Sequence, residues 1–236
     1  MNQHRVAIIG DGKMGQAIRQ LALERGWQVT AIVGERESNH GAGITKQTLG
    51  APEVAVEFTQ PDAAVANIVA CLRDKVPVVV GTTGWYESLP LVTGIAKETA
   101  TPLLWSPNFS LGVNVLIELA RQAGALMRSL EEFDAHIVET HHTKKKDAPS
   151  GTAIAIAKAA SDALDRPIPT TSIRVGSVPG THELVFDGPF EQISLTHVAR
   201  DRRVFAEGAL KAADWLIGRA GVFTMRDVLK RDTFRE

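Results

Sequence analysis

The sequence contains a single cysteine, which excludes an intramolecular disulfide. Cys71 lies within an apolar helical pattern, and we predict that it is a small buried side chain rather than a catalytic thiol. A chain without disulfides fits a reducing compartment. Residues 1–5 also lack the apolar core of a signal peptide. Together these features predict a cytoplasmic protein.

Long apolar runs and a strong net charge are absent as well. No run is long enough to span a bilayer, so we expect no membrane partner. The formal net charge of −1 gives no sign of nucleic-acid binding. With 236 residues, 44% of them hydrophobic and 22% charged, the composition is typical of a globular protein with one large domain or two small ones.

The first half of the chain alternates short apolar runs with helical patterns. Such alternation predicts a parallel sheet that is covered by helices on both faces. The predicted strands are 5–9, 28–33, 54–58, 76–80 and 102–105, and the predicted helices are 16–25, 61–74 and 86–99.

The pattern changes after Asn108. Ser110 and Ser150 are suited to cap two long helices, and strand-like segments occupy 133–140, 171–175, 182–186 and 193–198. The helical pattern at 206–219 is suited to packing back on the first domain. We therefore predict a Rossmann-like α/β domain, residues 1–109 and 204–236, and an α+β domain with a mixed or antiparallel sheet, residues 110–203.

A glycine-rich loop follows the first predicted strand. Gly10, Gly12 and Gly15 have the GxGxxG spacing and open a helix. The first glycine allows a tight turn, the second lets a pyrophosphate approach the backbone, and the third lets helix and strand pack closely. The loop predicts dinucleotide binding, although an isolated GxGxxG is also compatible with a structural turn.

The position that recognises the ribose is ambiguous. Glu35 lies twenty residues after Gly15 and is suited to accept a hydrogen bond from a 2′-hydroxyl. Arg36 or Lys13 is instead suited to bind a 2′-phosphate. A carboxylate beside a cation predicts that NADH and NADPH are both used, unless these side chains are merely solvated.

Two further segments end predicted strands, and ligands of open α/β sheets bind at such ends. Gly81-Thr82-Thr83-Gly84 follows one strand, and Ser106-Pro107-Asn108-Phe109 follows the other. We expect both at the nicotinamide, although the glycines alone are equally suited to ordinary turns.

The segment from Glu139 to Ala153 combines acid–base groups with positive charge. It contains His141, His142, Lys144–Lys146 and a Ser150-Gly151-Thr152 helix start. Imidazole exchanges protons near neutral pH, and a helix N-terminus beside a lysine suits a carboxylate. A histidine pair alone is more often structural. We predict no metal site, because neighbouring strand residues face opposite ways and no ligand set stands nearby.

The chain resembles the 4-hydroxy-tetrahydrodipicolinate reductase (dihydrodipicolinate reductase) family, most specifically in this segment. The resemblance covers nearly the whole chain, and its most specific element is the E-x-H-H-x-x-K-x-D-A-P-S-G-T-A pattern of residues 139–153. It implies an NAD(P)H-dependent reductase that converts 4-hydroxy-tetrahydrodipicolinate to tetrahydrodipicolinate with loss of water, in lysine and diaminopimelate biosynthesis. It also implies a homotetramer.

The resemblance further implies residue roles. His141 and Lys145 are expected to donate the proton, and the substrate is expected to contact His142, Lys145, Gly151 and Thr152. The cofactor is NADPH or NADH, and its expected ligands are Gly10, Gly12, Lys13, Met14, Gly15, Glu35, Arg36, Gly81, Thr82, Thr83, Ser106, Pro107, Asn108 and Phe109.

Two departures from the family pattern affect cofactor preference but not the reaction. The first loop is one residue shorter than is common, with Lys13 where arginine is frequent, and Gly34 lies near the usual acidic ribose ligand. Two alternatives stay open at this point: another two-domain NAD(P)-dependent reductase of a small carboxylate, or a nucleotide-sensing protein without turnover.

Overall fold

The computed structural model describes residues 4–230, and these residues form two compact units. One unit consists of the chain up to Phe109 together with the chain from Arg203 onwards, and the other is Ser110–Arg202. In chain order the elements are β1 (Arg5–Ile9), α1 (Lys13–Glu24), β2 (Gln28–Val33), α2 (Glu35–Ser38), β3 (Val54–Glu57), α3 (Pro61–Arg73), β4 (Val78–Val80), a 3-10 turn (Tyr86–Ser88), α4 (Leu89–Glu98), β5 (Leu103–Trp105), α5 (Leu111–Met127), β6 (Asp134–His141), α6 (Gly151–Leu164), β7 (Thr170–Arg174), β8 (Thr181–Asp187), β9 (Gln192–Val198), α7 (Arg203–Leu216), β10 (Val222–Phe223) and α8 (Met225–Leu229).

The first unit is built on a six-stranded sheet in the order β10-β5-β4-β3-β1-β2. Every strand pair in it is parallel. Its central strands are short apolar runs such as Val78–Val80, whose residues are all buried. Burial on both faces explains why these strands read as continuous rather than alternating apolar segments. The predicted Rossmann-like sheet is confirmed.

The second unit contains a four-stranded mixed sheet in the order β7-β6-β8-β9. β6 pairs with β8 antiparallel, and β8 pairs with β9 antiparallel, whereas β7 is parallel to β6. β6 and β7 are parallel because α6 lies between them in the chain, and a helical crossover returns the next strand in the same direction. The two later connections contain no helix and reverse the strand direction; the one from β7 to β8 passes β6, and the one from β8 to β9 joins neighbouring strands.

Serine caps begin both long helices of the second unit, as the sequence predicts. Ser110 Oγ accepts a hydrogen bond from the N–H of Val113 at 3.3 Å, and Ser150 Oγ accepts one from the N–H of Ala153 at 3.1 Å. Each cap satisfies a backbone donor that the helix itself leaves unpaired.

α5 and α6 pack closely on the sheet of this unit. Their buried residues include Leu116, Ala120, Ile156 and Ala160, which form one apolar cluster with sheet residues such as Phe186. Gly124 of α5 allows the closest approach, since a Cβ there would lie 2.5 Å from the carbonyl oxygen of Ala160.

Several elements differ from the sequence predictions. α2, β10 and α8 were not predicted, because short segments carry too little periodicity to be detected. The helix predicted over 86–99 is split into the 3-10 turn and α4, and Pro90 lies in the first turn of α4. Among residues 4–230, no helix combines the length and apolarity required to cross a membrane.

Gly124→Ala should destabilise the protein, because its methyl group would meet backbone that cannot move without separating α5 from α6. We expect a loss of about 1–3 kcal/mol in the free energy of unfolding, measured by urea denaturation. Gly94→Ala in α4 is the matched control. A Cβ at Gly94 would have nothing within 4 Å, so this change should be neutral or slightly stabilising. Equal effects of the two substitutions would contradict this packing account.

Candidate functional site

A cavity of about 230 Å³ lies beyond the carboxyl ends of the central strands in the first unit. Ligands of open parallel sheets bind in this position. Its walls come from the segments that follow β1, β2 and β3 and from the start of α3. The lining residues are Gly10, Asp11, Gly12, Glu35, Ser38, His40, Phe58, Thr59, Gln60, Asp62 and Ala63.

The geometry of the glycine-rich loop explains its spacing. Gly10 has φ +109°, and a Cβ there would lie 2.0 Å from the carbonyl oxygen of Phe58. A Cβ on Gly15 would lie 1.8 Å from the carbonyl oxygen of Gly10. Gly12 instead has open space around it, with nothing within 4 Å of its Cβ position. The loop therefore needs Gly10 and Gly15 for packing, while Gly12 lets a ligand approach the backbone.

The N-terminus of α1 follows directly. Gly12 is its N-cap residue and provides no side-chain cap, so the first N–H groups of α1 have no side-chain acceptor there. Such groups, together with the helix dipole, are suited to a phosphate. Lys13 and Met14 occupy the first turn of α1, and Lys13 is exposed. These features fit a dinucleotide pyrophosphate.

At the end of β2 the two ribose candidates differ in position. Glu35 lines the cavity, whereas Arg36 is exposed on α2 and lies outside the cavity lining. Two more carboxylates lie beside Gly34: its Cβ position is 2.8 Å from Glu37 Oε2 and 3.0 Å from Asp11 Oδ2. The carboxylate alternative thus faces the cavity more directly than the cationic one.

The two later strand-end segments use part of their polar groups internally. Thr82 Oγ1 accepts a hydrogen bond from the N–H of Thr59 at 2.7 Å, and the Thr82 carbonyl accepts one from Trp85 Nε1 at 2.8 Å. Ser106 Oγ donates to the carbonyl of Asn108 at 2.7 Å. Thr82 and Ser106 are buried, and their hydrogen bonds hold the loops in place. Thr83 and Pro107 are exposed.

Beneath these loops lies a carboxyl group that sequence reasoning missed. Glu57, at the end of β3, is fully buried and accepts a hydrogen bond from the Thr59 hydroxyl. Burial raises the pKa of this carboxyl, against the opposing effect of hydrogen bonds from Thr59, Thr82 and Asn67. The hydrogen bonds tie the end of β3 to the loop after β4.

In the second unit, His141 lies at the end of β6 and contacts a carboxylate. Its Nδ1 meets Glu139 Oε2, while the other oxygen, Oε1, accepts a hydrogen bond from Arg174 Nη2 at 2.7 Å. Glu139 and His141 are buried. Burial by itself would raise the pKa of Glu139, but hydrogen bonds from Arg174 and Ser172 and the charge of His141 lower this pKa to about 2.

His182 of β8 lies beside His141, with ring centroids 5.1 Å apart. Its Nε2 is 3.2 Å from Ser150 Oγ, the hydroxyl that also caps α6. Burial, followed by the positive charge of His141, lowers the pKa of His182 to about 4. The ring is therefore neutral near pH 7. Burial lowers the pKa of His141 as well, although Glu139 opposes this effect.

The three lysines of the segment have different environments. Lys145 is half-buried, and its Nζ lies 2.8 Å from Asp147, whereas Lys144 and Lys146 are exposed. Lys145 holds the pKa of Asp147 below its usual range. The structure thus distinguishes Lys145 from its neighbours, which the sequence pattern alone does not.

His142 has partners that differ from those of His141. Arg202 Nη2 lies 3.0 Å from His142 Nε2, and both residues line a cavity of about 270 Å³ with Thr143, Lys144, Gly176, Ser177 and Pro179. At the start of α6, Gly151 is exposed with nothing within 4 Å of its Cβ position, and Thr152 is half-buried. The predicted residues are thus distributed around the end of β6 rather than in one cluster.

Glu139, Arg174 and His182 received no role from sequence reasoning. Alternation along β6 places Glu139 on the same face as His141, two residues away. Sheet register supplies the others, because His141 is paired with Arg174 on β7 and Glu139 with His182 on β8. The positions of Arg174 and His182 beside this pair follow only from pairing between distant segments.

Glu139, His141 and His182 each bring one nitrogen or oxygen atom within 4.8 Å of the other two. The fold thus gathers a possible ligand set beside His141, contrary to the prediction from the sequence that no such set stands nearby. Both Glu139 oxygens, however, already face cationic or donor groups on Arg174 and His141. Ion pairs hold Glu139 between Arg174 and His141, and the neutral His182 ring packs beside His141.

The parallel-sheet unit with its glycine-rich loop and the second unit with its buried histidine–carboxylate cluster define a nucleotide-dependent oxidoreductase. Residues 4–109 match the family model described as "Dihydrodipicolinate reductase, N-terminus", and residues 112–229 match "Dihydrodipicolinate reductase, C-terminus". The chain belongs to the dihydrodipicolinate reductase family, as the sequence resemblance indicates.

Individual relatives agree over nearly their full lengths. A protein of Christiangramia forsetii named 4-hydroxy-tetrahydrodipicolinate reductase is 35% identical, covering 98% of this chain and 99% of the relative. A protein of the same name from Thiobacillus denitrificans is 36% identical, covering 95% and 98%. Among solved structures, dipicolinate-bound dihydrodipicolinate reductase from Paenisporosarcina sp. TG-14 has a TM-score of 0.79 at 21% identity, covering 96% and 99%. That likeness shows the shared fold.

The depressed pKa of His182 predicts an acid-sensitive second unit. His182 binds a proton near pH 6.5 in the unfolded chain but only near pH 4 in the folded chain. The contribution of His182 to the free energy of unfolding therefore keeps its full value above pH 6.5 and decreases as the pH falls toward 4. The full effect is up to about 3 kcal/mol. His182→Gln should therefore lose less unfolding free energy than the wild type between pH 7.5 and 5, measured by urea denaturation. His40→Asn, at an exposed loop histidine, is the control; equal pH slopes for the wild type and His182→Gln would contradict the assignment.

Proposed function

We propose that this protein catalyses the NAD(P)H-dependent reduction of 4-hydroxy-tetrahydrodipicolinate to tetrahydrodipicolinate, with loss of water, in lysine and diaminopimelate biosynthesis. The observation that carries the proposal is membership of the reductase family across both units. The solved relative is described as dipicolinate-bound, and dipicolinate bears two carboxylates. A small cyclic dicarboxylate is therefore the substrate class, and the protein acts in the cytoplasm.

The first unit binds the nucleotide, which supplies a hydride when bound. Its cavity fits this cofactor in two respects: open backbone at Gly12 beside the uncapped start of α1, and a carboxylate, Glu35, that is suited to a ribose hydroxyl. Arg36 and Lys13 are available for a 2′-phosphate, so both NADH and NADPH are used. The proposed ligands are Gly10, Gly12, Lys13, Met14, Gly15, Glu35, Arg36, Gly81, Thr82, Thr83, Ser106, Pro107, Asn108 and Phe109.

The second unit binds the dicarboxylate and supplies the proton. His141 has a carboxylate at Nδ1 that favours the protonated ring against the effect of burial, which lowers the pKa of His141, and Lys145 is half-buried beside Asp147. Either is suited to act as general acid. Lys145 also binds a substrate carboxylate, together with His142, Gly151 and Thr152, because the start of α6 offers N–H donors and His142 lies beside the positive charge of Arg202.

The second unit also assembles the protein into a homotetramer. The support is its exposed sheet edge and apolar surface: Ile193 and Val198 of β9 are 39% and 59% exposed, and Phe190 is fully exposed. Edge strands that carry such side chains need covering. Sedimentation equilibrium should show a tetramer, and Ile193→Lys together with Val198→Lys should dissociate it. A wild-type protein that is a stable monomer at micromolar concentration would rule the tetramer out.

His141→Gln and Lys145→Ala should each lower kcat by about two orders of magnitude or more, because each removes a proposed proton donor. The assay follows the loss of NADPH or NADH absorbance with enzymatically generated substrate. Both variants should bind nucleotide nearly normally, since the nucleotide contacts lie in the other unit. Lys144→Ala is the matched control and should retain activity.

Near-normal turnover in both His141→Gln and Lys145→Ala would contradict the assigned roles, and absence of wild-type turnover would contradict the function. Comparing kcat/KM for the two nucleotides tests dual use. A ratio above about 100, equivalent to roughly 2.7 kcal/mol, would rule dual use out.

A further inference from the structure

We infer that Glu139, held in place by Arg174, is the positioning residue of His141. Its carboxylate keeps a proton on Nδ1, so that Nε2 is the nitrogen that gives up and regains the catalytic proton. The inference deepens the proposed function and rests on His141 taking part in proton transfer there.

The first support is the placement of the charge. Glu139 has no exposed surface, and a buried carboxylate without partners is strongly unfavourable. Its two oxygens have separate partners, since Oε1 accepts from Arg174 and Oε2 meets His141 Nδ1. Arg174 is anchored a second time, because its Nη2 donates to the carbonyl of Asp147 at 2.6 Å. The carboxylate therefore has little freedom to turn away from the imidazole.

The second support is the strand geometry. Glu139 and His141 lie two residues apart on β6, so both side chains leave the same face of the sheet. Arg174 is the register partner of His141 on the neighbouring parallel strand. Backbone hydrogen bonds of two strands thus fix the relative positions of all three groups, which is more rigid than a contact made by a loop.

The third support is the space around Nε2. Gly180 has φ +155°, and a Cβ there would lie 3.0 Å from His141 Nε2 and 3.3 Å from its Cδ2. A side chain at this position would crowd the nitrogen on the side of the ring away from Glu139. Because residue 180 is a glycine, no side chain crowds Nε2. Nδ1 faces the carboxylate, so Nε2 is the nitrogen that exchanges the proton with the substrate.

Proton transfer then follows a simple balance. The protonated ring releases the proton of Nε2 to the substrate atom that has become negative after reduction, and it is left neutral with its remaining proton on Nδ1, facing Glu139. Solvent restores the proton on Nε2. The carboxylate stays ionised throughout, as the low pKa of Glu139 requires.

The charges that face His141 determine the effect of removing the carboxylate. Glu139 favours the protonated ring, whereas Lys145 and Arg174 disfavour it, and burial does the same. His182 of β8 packs against the ring and is neutral near pH 7. Without the charge of Glu139, the remaining influences named above all disfavour the protonated ring, so the pKa of His141 falls further and the protonated ring becomes rarer near neutral pH.

The test is Glu139→Gln, which keeps the size of the side chain and removes its charge. We expect kcat to fall by about 10-fold or more at pH 7.5, with KM changed little. The alkaline limb of the kcat profile should move to lower pH by about one unit, because an adjacent carboxylate raises a histidine pKa by at least this amount. Glu139→Asp should recover part of both effects. Glu183→Gln on β8 is the matched control and should retain the wild-type profile.

A second measurement does not depend on turnover. In protein labelled with ¹⁵N-histidine, NMR should show the neutral His141 ring with its proton on Nδ1, and this preference should weaken in Glu139→Gln. Near-ultraviolet circular dichroism and a urea unfolding curve verify that the second unit of each variant is folded. If Glu139→Gln does not fold, the wild-type tautomer and the Glu139→Asp profile decide the question.

The possible outcomes separate the two proposals. A wild type without turnover refutes the proposed function, while the tautomer measurement still tests the positioning role. An active wild type whose alkaline limb is unmoved by Glu139→Gln overturns the positioning role, even if kcat falls uniformly. A neutral ring with its proton on Nε2 in the wild type overturns it as well.

Discussion

A buried negative charge holds the second unit together at its chemically important end. Glu139 lies on β6, Arg174 on β7 and His182 on β8, and these three strands meet around the carboxylate. An ionised carboxyl in a protein interior is tolerated only when hydrogen bonds and opposite charge replace the water that it has lost. The low pKa of Glu139 reflects that replacement. The order of the strands places Arg174 on one side of β6 and His182 on the other, and Arg174 and His141 are the groups that pair with the carboxylate.

The first unit uses a different constraint, the close approach of backbone to backbone. Gly10 lies against the carbonyl of Phe58, and Gly15 lies against the carbonyl of Gly10. These contacts bring the ends of β1 and β3 together and start α1 at the edge of the cavity. Glu57 then links the same region to the loop after β4 through hydrogen-bonded hydroxyls. Uncharged packing and a buried carboxyl of raised pKa thus shape a site that suits an anionic ligand.

Many of the strands and helix ends could be predicted from the sequence because they depend on residues that are close together in the chain. Buried parallel strands have continuous apolar runs, the serines at 110 and 150 cap the helices that follow them, and Gly26 ends α1 with φ +72°. The missed elements have weak local signals: α2 spans Glu35–Ser38 and β10 spans Val222–Phe223, too short for periodicity to appear. The parallel pairing of β7 follows from the intervening helix, yet nothing within residues 170–174 indicates it.

The family, the two kinds of fold and the importance of His141, Lys145 and the glycine-rich loop can be inferred from the amino-acid sequence alone. These depend on residue types at short spacings, which physical chemistry connects to local structure. The folded chain is needed to show that Glu139, Arg174 and His182 lie around His141, and that His142 lies beside Arg202. Those neighbours come from strands far apart in the chain, and strand order and register set their distances. A one-residue change of register would exchange the faces of each strand and disperse the cluster.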